Sequence, residues 1–251
     1  MEMEEFKNIF REKFRSYFGC DAKPALTDKC AEHFAILVKY NEMFNLTRIV
    51  GVAESVLLHY MDSFFVARSK PEVFKNGIAI VDIGSGGGFP AIPLYIYLTE
   101  QLGLTGVRMT LIESSKKKTD FLKTTVAELG LAKVTCLPER VEDTGVRPQH
   151  REKYDIVTAR ALSSLPVLVE FCVPLLKVGG LCLLMKGEDI AVELAASAAA
   201  LKELRSSYMG DFVYEIETMQ YKRRVLIIKK DAHTQGKYPR KPGIPKKMPI
   251  A

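Results

Sequence analysis

Several absences narrow the possibilities before any motif is read. No apolar run approaches the roughly 18 residues of a membrane span. The start, MEMEEFKN, is acidic and lacks the basic-then-apolar layout of a signal peptide. The five cysteines (Cys20, Cys30, Cys136, Cys172, Cys182) are odd in number and form neither CxxC nor the CxxxCxxC of an iron–sulfur radical enzyme. They read as reduced thiols of a cytoplasmic protein. Four histidines without an HxxxH or Cys/His cluster offer nothing to hold zinc, so no metal is expected.

Charge is concentrated at one end. Residues 229–251 hold seven Lys/Arg against the single acid Asp231, while the preceding 228 residues carry 29 basic and 29 acidic side chains. The net charge of +6 is therefore a property of the tail.

Residues 1–70 have helical period. Phe6, Ile9, Phe10, Phe14 and Phe18 recur at three or four residues and stop at Gly19. Thr27 is expected to cap a second helix bearing Phe34, Leu37, Val38 and Tyr40. A third is expected from about Val52 through His59, Tyr60 and Phe64. Over 71–230 the pattern changes to short β-rich runs, IAIVDI (78–83), VRMTLIE (107–113), KVTCLP (133–138), YDIVTA (154–159) and LCLLMK (181–186), alternating with helical segments. This predicts a doubly wound α/β fold with a mostly parallel, Rossmann-like, seven-stranded sheet. An Ala-rich helix is expected over about 189–207, then a hairpin of FVYEIETMQ and RRVLIIKK. The tail, 231–251, is expected to be loosely ordered and to follow an RNA backbone. Tyr238 and Ile244 are its available anchors should it pack instead.

The chemistry concentrates in DIGSGGGFPAIP, residues 82–93. Gly84, Gly86 and Gly88 follow directly on a buried strand, where bare backbone can approach a ligand. No lysine follows to make a P-loop, and Phe89 stands where a dinucleotide fingerprint needs its third glycine. What remains, with Asp82 two places before Gly84, resembles motif I of the class I S-adenosylmethionine-dependent methyltransferases. Glu113 ends the next strand, 25 residues past Gly88, where a carboxylate can accept hydrogen bonds from ribose hydroxyls.

The acceptor is narrowed by two further absences. The fourth strand runs into DIVTARALSSL, without the [DNS]PP[YFW] stretch of amine methylation or the cysteine of pyrimidine carbon-5 methylation. An acceptor that is already nucleophilic, such as guanine N7, needs only positioning. NLTRI (45–49), HYMDS (59–63), DIGSGGGFPAIPL (82–94), ESSKKKTDFL (113–122), ERVED (139–143), VTARAL (157–162), MKG (185–187) and YPRKPGIPKK (238–247) occur in this order. Together they resemble the glucose-inhibited division protein B family, 16S rRNA guanine-N7 methyltransferases. The resemblance implies methylation of guanine 527 in 16S rRNA or the 30S subunit by a monomeric cytoplasmic enzyme. It implies S-adenosylmethionine, with S-adenosylhomocysteine as product, bound at Gly84, Phe89, the Val141–Glu142 pair and Arg160.

Other readings stay open. Arg160 is either a catalytic positioning group or a structural ion-pair partner; a guanidinium's capacity to grip a carboxylate, a phosphate or a guanine edge favours the first. Arg140, Lys186, Arg223, Lys237, Arg240 and Lys241, with Lys222 and Arg224, are candidates for RNA contact, and solvated lysines are the alternative. Lys116–Lys118 read as a solvated helix start before they read as phosphate contacts. His59 and Asp62, three residues apart, read as a buried hydrogen-bonded pair. A small-molecule methyltransferase and a non-catalytic RNA-binding assembly factor are the rival functions.

Overall fold

The computed structural model describes residues 2–187 and 190–250. A seven-stranded sheet has the order β3-β2-β1-β4-β5-β7-β6, in which β1 is Ala79–Ile83, β2 Arg108–Ile112, β3 Val134–Leu137, β4 Tyr154–Arg160, β5 Leu176–Lys186, β6 Ser206–Tyr214 and β7 Arg223–Lys230. The first five strands are parallel, and β7 runs antiparallel to both its neighbours. The strand order reverses between β1 and β4, and the crevice at the carboxyl ends of those strands is where open α/β sheets bind ligands.

Each face of the sheet has its own core. Alternation along β1 sends Ile80 to one and Ala79, Val81 and Ile83 to the other. The first core lies under the N-terminal helices α1 (Glu2–Phe18), α2 (Pro24–Phe44), α3 (Val52–Ser55) and α4 (Asp62–Ser69), the last two joined by a π-helical turn, Val56–Met61. Phe6, Phe10 and Phe14 are fully buried. They pack with rings of Phe34, Tyr60 and Phe64 at centroid distances of 4.9–6.1 Å. Each such side chain contributes about 1.5–3 kcal/mol through burial, so the helical layer is continuous with the sheet core. The helices α5 (Ala91–Ile96) and α6 (Lys116–Glu128) complete this face. The opposite face carries α7 (Val141–Val146), α8 (Leu165–Cys172), α9 (Ala191–Ala196) and α10 (Ala198–Glu203).

Three local expectations are corrected. The second helix starts at Pro24 with Lys23 at the N-cap, because proline's fixed φ suits the first turn. Thr27 instead bonds back to the Lys23 carbonyl from within the helix. The Ala-rich segment is two short helices meeting at Ser197, and it ends at Glu203; Glu188 and Asp189 lie outside the described residues. The edge strand begins at Ser206, six residues before the expected FVYE, and ends at Tyr214.

The largest departure is the tail. It is ordered as a strap over α7 and α8, ending in the short helix α11 (Ile244–Lys247). The Arg151 guanidinium donates to the carbonyls of Thr234, Gln235 and Tyr238. Arg240 forms a forked pair with buried Glu170, at 2.9 and 2.6 Å. Tyr238 is buried, and Pro239 sits so close to Gly145 that a Cβ there would lie 2.9 Å from it. Composition alone points to a loosely ordered tail, but Arg151 of the domain supplies donors to its carbonyls and buried Glu170 supplies an acceptor to Arg240.

Candidate active site

A cleft of about 260 Å³ opens at the carboxyl ends of β1, β2 and β4. Its wall includes Gly84, Gly86, Ile112, Glu113, Val141, Glu142, Arg160 and Leu162. Gly84, Gly86 and Gly88 have φ of +68°, +53° and +88°, the left-handed region that favours glycine. A Cβ on Gly84 or Gly88 would lie 2.6 Å from Leu162 or Ile92, whereas one on Gly86 would meet only the Gly84 carbonyl, at 3.8 Å. The loop is thus tightly packed at two glycines, against Leu162 of the cleft wall and against Ile92, and open at the middle one.

One carboxylate holds the loop and a second lies behind it. Glu113 accepts from the Gly86 amide at 3.1 Å and from the Ser115 amide at 2.8 Å, leaving further lone pairs on both oxygens. Asp82, buried at the end of β1, accepts from the Thr158 hydroxyl at 2.7 Å, while its Oδ2 has no partner. Burial pushes its carboxyl up to about 7, against the bonds from Thr158 and Ser85 and the charge of Arg160. On the far wall, Val141 and Glu142 form the first turn of α7, and Glu142 Oε1 accepts from the Gly243 amide at 3.0 Å.

Arg160 ends β4 and reaches the same cleft. Its Nη1 donates to the Leu58 carbonyl at 2.9 Å and to Asp62 Oδ2 at 3.1 Å, and its Nη2 lies 3.4 Å from His59 Nδ1. Its guanidinium stands 5.1 Å from the Phe89 ring centre, and that ring stacks on His59 at 4.1 Å. Burial, with the charge of Arg160, lowers His59 to about 3, so the imidazole is neutral. The expected His59–Asp62 pair is not a direct bond; the two side chains meet through Arg160.

Comparison with known proteins bears on these residues as a set. The family model GidB, described as rRNA small subunit methyltransferase G, matches residues 27–222. The chain belongs to this family. Among curated relatives, ribosomal RNA small subunit methyltransferase G of Halalkalibacterium halodurans is 37% identical over 251 residues, covering all of both chains. The protein of the same name from Acetivibrio thermocellus is 37% identical over 235 residues, covering 94% of this chain and 93% of its own. An O-methyltransferase of Bacillus cereus, solved in complex with SAH, superposes with a TM-score of 0.58 at 14% identity. It covers 91% of this chain and 100% of its own, and shows the shared fold. The chain is therefore an S-adenosylmethionine-dependent rRNA methyltransferase with a class I fold.

The residues of the cleft fit that cofactor. Open space at Gly86, spare acceptors on Glu113 and the apolar surfaces of Ile112, Val141 and Leu162 suit an adenosine moiety. Asp82, Gly84, Gly86, Gly88, Phe89, Glu113, Val141, Glu142 and Arg160 all come together in or directly behind the cleft. The RNA candidates separate. Arg140 is exposed on the cleft rim, and Lys241 is exposed on the strap. Arg223 is half-buried against Asp62 and Arg240 against Glu170; Lys186 pairs with Glu193 at 2.7 Å and Lys237 with Glu203 at 2.6 Å. Lys222 and Arg224 pair with Glu215 and Asp211. Lys246, not singled out in the sequence, lines the cleft beside Lys118 and Arg140. Its signal was only its place in YPRKPGIPKK. Among the described residues no group of three His, Cys, Asp or Glu side chains could hold a metal, and no helix is long and apolar enough to cross a membrane.

Proposed function

We propose that the protein transfers the methyl group of S-adenosylmethionine to N7 of a guanine in 16S rRNA, guanine 527, acting as a cytoplasmic monomer on the rRNA or the 30S subunit. The observation that carries the nucleophile's identity is the lining of the cleft. Among the described residues no His, Cys or Tyr side chain lines it; of the carboxylates that do, Glu113 and Glu142 hold backbone amides and Glu139 holds Thr144 and Arg147, while Asp82, the one carboxyl pushed up to about 7, lies behind the glycine loop and does not line the cleft. An acceptor needing deprotonation would call for a base near neutrality. Guanine N7 carries its lone pair in the ring plane and needs none.

The bound cofactor supplies a methyl group made electrophilic by its sulfonium. The chain supplies position. Gly84, Gly86 and Gly88 bring backbone close to the cofactor, with Asp82 and Phe89 bracing the loop from behind. Glu113 receives ribose hydroxyls, and Val141 with Glu142 faces the adenine side. Arg160 retains N–H groups beyond those bound to Leu58 and Asp62, and these grip the reacting partners from the end of β4. In-line alignment of this kind is worth up to roughly 7–11 kcal/mol. Lys118, Arg140 and Lys246 at the rim meet RNA phosphates.

The test is nucleoside-resolved mass mapping of small-subunit rRNA from a strain lacking the gene and from the complemented strain. Loss of a single 7-methylguanosine, restored by the wild-type gene and not by Arg160→Ala, is the expected result. An unchanged methylation map would overturn the assignment.

A further inference from the structure

Asp62 belongs to the HYMDS segment, which the reading of the cleft leaves without a role. Its side chain is 1% exposed, yet it takes four hydrogen bonds from three residues that arrive on three different strands. The Tyr214 hydroxyl, at the end of β6, donates to Oδ1 at 2.7 Å. Arg223, at the start of β7, donates from Nε to Oδ1 at 3.1 Å and from Nη2 to Oδ2 at 2.8 Å. Arg160, at the end of β4, donates to Oδ2 at 3.1 Å. One buried carboxylate thus stands between two guanidiniums.

The surroundings fix where Arg160 goes once Asp62 holds it. The π-helical turn ending at Met61 brings the Leu58 carbonyl and His59 onto the same guanidinium. Phe89, the residue that closes the glycine loop, packs against both groups, its ring 4.1 Å from the His59 ring and 5.1 Å from the Arg160 guanidinium. The His59 ring is itself held by Thr47 Oγ1, 3.2 Å from Nε2. Arg160 therefore has one face committed to the N-terminal helices, while Nε–H and one N–H of Nη2 take no protein partner among the described residues. Without Asp62, two cations would share a buried site with no carboxylate between them, and repulsion would drive the more mobile one out of register.

We propose that Asp62 is a positioning residue for Arg160: it sets the guanidinium's orientation toward the cleft and screens it from Arg223. The proposal rests on Arg160 touching cofactor or substrate, as inferred above. It also gives the helical layer a place in the reaction, since the carboxylate that aims the arginine is carried by that layer.

The experiment is a double-mutant cycle with the full-length chain, Arg160→Ala, Asp62→Asn and both together, read as single-turnover methyl transfer to 30S subunits, with thermal unfolding to check the fold. Arg160→Ala lowers the rate at least 100-fold. Asp62→Asn lowers it about 10- to 100-fold, and adding it to Arg160→Ala lowers it no further. Millimolar guanidinium chloride, at concentrations that leave the protein folded, restores part of the rate to Arg160→Ala. It restores none to the double variant, where the anchoring carboxylate is gone. A merely structural Asp62 would leave that rescue unchanged. If Asp62→Asn does not fold, Tyr214→Phe, which removes one of the four bonds and no charge, is run through the same cycle with a severalfold loss expected. Multiplicative losses in the double variant, or rescue that survives removal of Asp62, would overturn the proposal. An Arg160→Ala variant that turns over normally would overturn the role of Arg160 instead.

Discussion

The backbone amide of Gly243 donates to Glu142 Oε1 at 3.0 Å, so the C-terminal strap is bonded to the wall of the cofactor cleft. A free tail could be removed without consequence for cofactor binding; a strap bonded to the proposed cofactor site is expected to matter for it. Deleting residues 232–251 frees Glu142 and opens the strap side of the cleft where Lys246 stands. Affinity for S-adenosylhomocysteine is expected to fall several-fold by calorimetry. Unchanged affinity in a folded truncation would show that the strap is separate from the site.

Arg240→Ala isolates the strap's main ion pair. Glu170 is buried and its carboxylate is gripped by Arg240; removing one partner of such a pair costs about 3 kcal/mol at the lower end of the known range. For a chain of this size that is roughly 6–12 °C in Tm. A loss below about 2 °C, measured by calorimetric unfolding, would show that solvent replaces Arg240 at little cost.

The parts of the fold legible in the sequence are those set by local chemistry. Gly84, Gly86 and Gly88 stand out because positive φ demands glycine, and the central strand β1 stands out because both its faces are buried. Arg160 is legible as a residue of interest because it ends such a strand. What was hidden is who pairs with whom. Asp62 and Arg223 are 161 residues apart, and Glu170 and Arg240 are 70 apart, so their cations read as free positive charge available to RNA. A signal did exist in LPVLVEFC: Glu170 is the lone charge in an otherwise apolar helix, and a buried carboxylate requires a partner from elsewhere. The tail's low hydrophobicity points to disorder for the same reason, since its order comes from bonds to Arg151, Glu170 and Glu142 on other elements.

Gly86→Ala is the cleaner test of the glycine loop. At φ +53° an alanine costs about 1–2 kcal/mol, and its Cβ meets only the Gly84 carbonyl at 3.8 Å. The fold is expected to survive with weakened cofactor binding. Gly84→Val would drive Leu162 away and confound the two effects. Equal cofactor affinity in Gly86→Ala and wild type would mean that the ligand does not approach this amide.

Asp82 carries a pH signature. Its folded value of about 7, raised by burial, lies above the roughly 3.9 of an unfolded aspartate. A raised carboxyl contributes stability that is fully present below pH 3.9 and is lost as pH rises through 7. His33 and His59, both lowered by burial to about 3, act in the opposite sense below pH 6.5, so only a comparison of variants separates them. Asp82→Asn is expected to unfold at a higher temperature than wild type at pH 8, with the gain shrinking or reversing by pH 5. A pH-independent difference would show that Asp82 does not titrate in this range.

The cations around the cleft divide into paired and unpaired, and the division predicts two phenotypes. Arg140 and Lys246 lie on the rim, both exposed and neither in an ion pair among the described residues. Arg223 is held by two bonds to Asp62. Each phosphate contact on RNA releases condensed counterions and adds roughly 0.7–0.9 to the slope of log affinity against log salt. Arg140→Gln is expected to weaken binding to the small-subunit rRNA and reduce that slope by about one contact, with Tm unchanged, because an exposed side chain without a partner contributes little to the fold. Combining it with Lys246→Gln should reduce the slope by a second contact. Arg223→Gln is expected to do the reverse: it leaves Asp62 under-compensated and lowers Tm, while the salt slope stays near wild type because this guanidinium was never available to a phosphate. Filter binding across 50–300 mM salt, with Tm measured on the same preparations, separates the cases. A salt slope that responds to Arg223→Gln but not to Arg140→Gln would place the RNA on the β7 edge instead of the rim of the cleft.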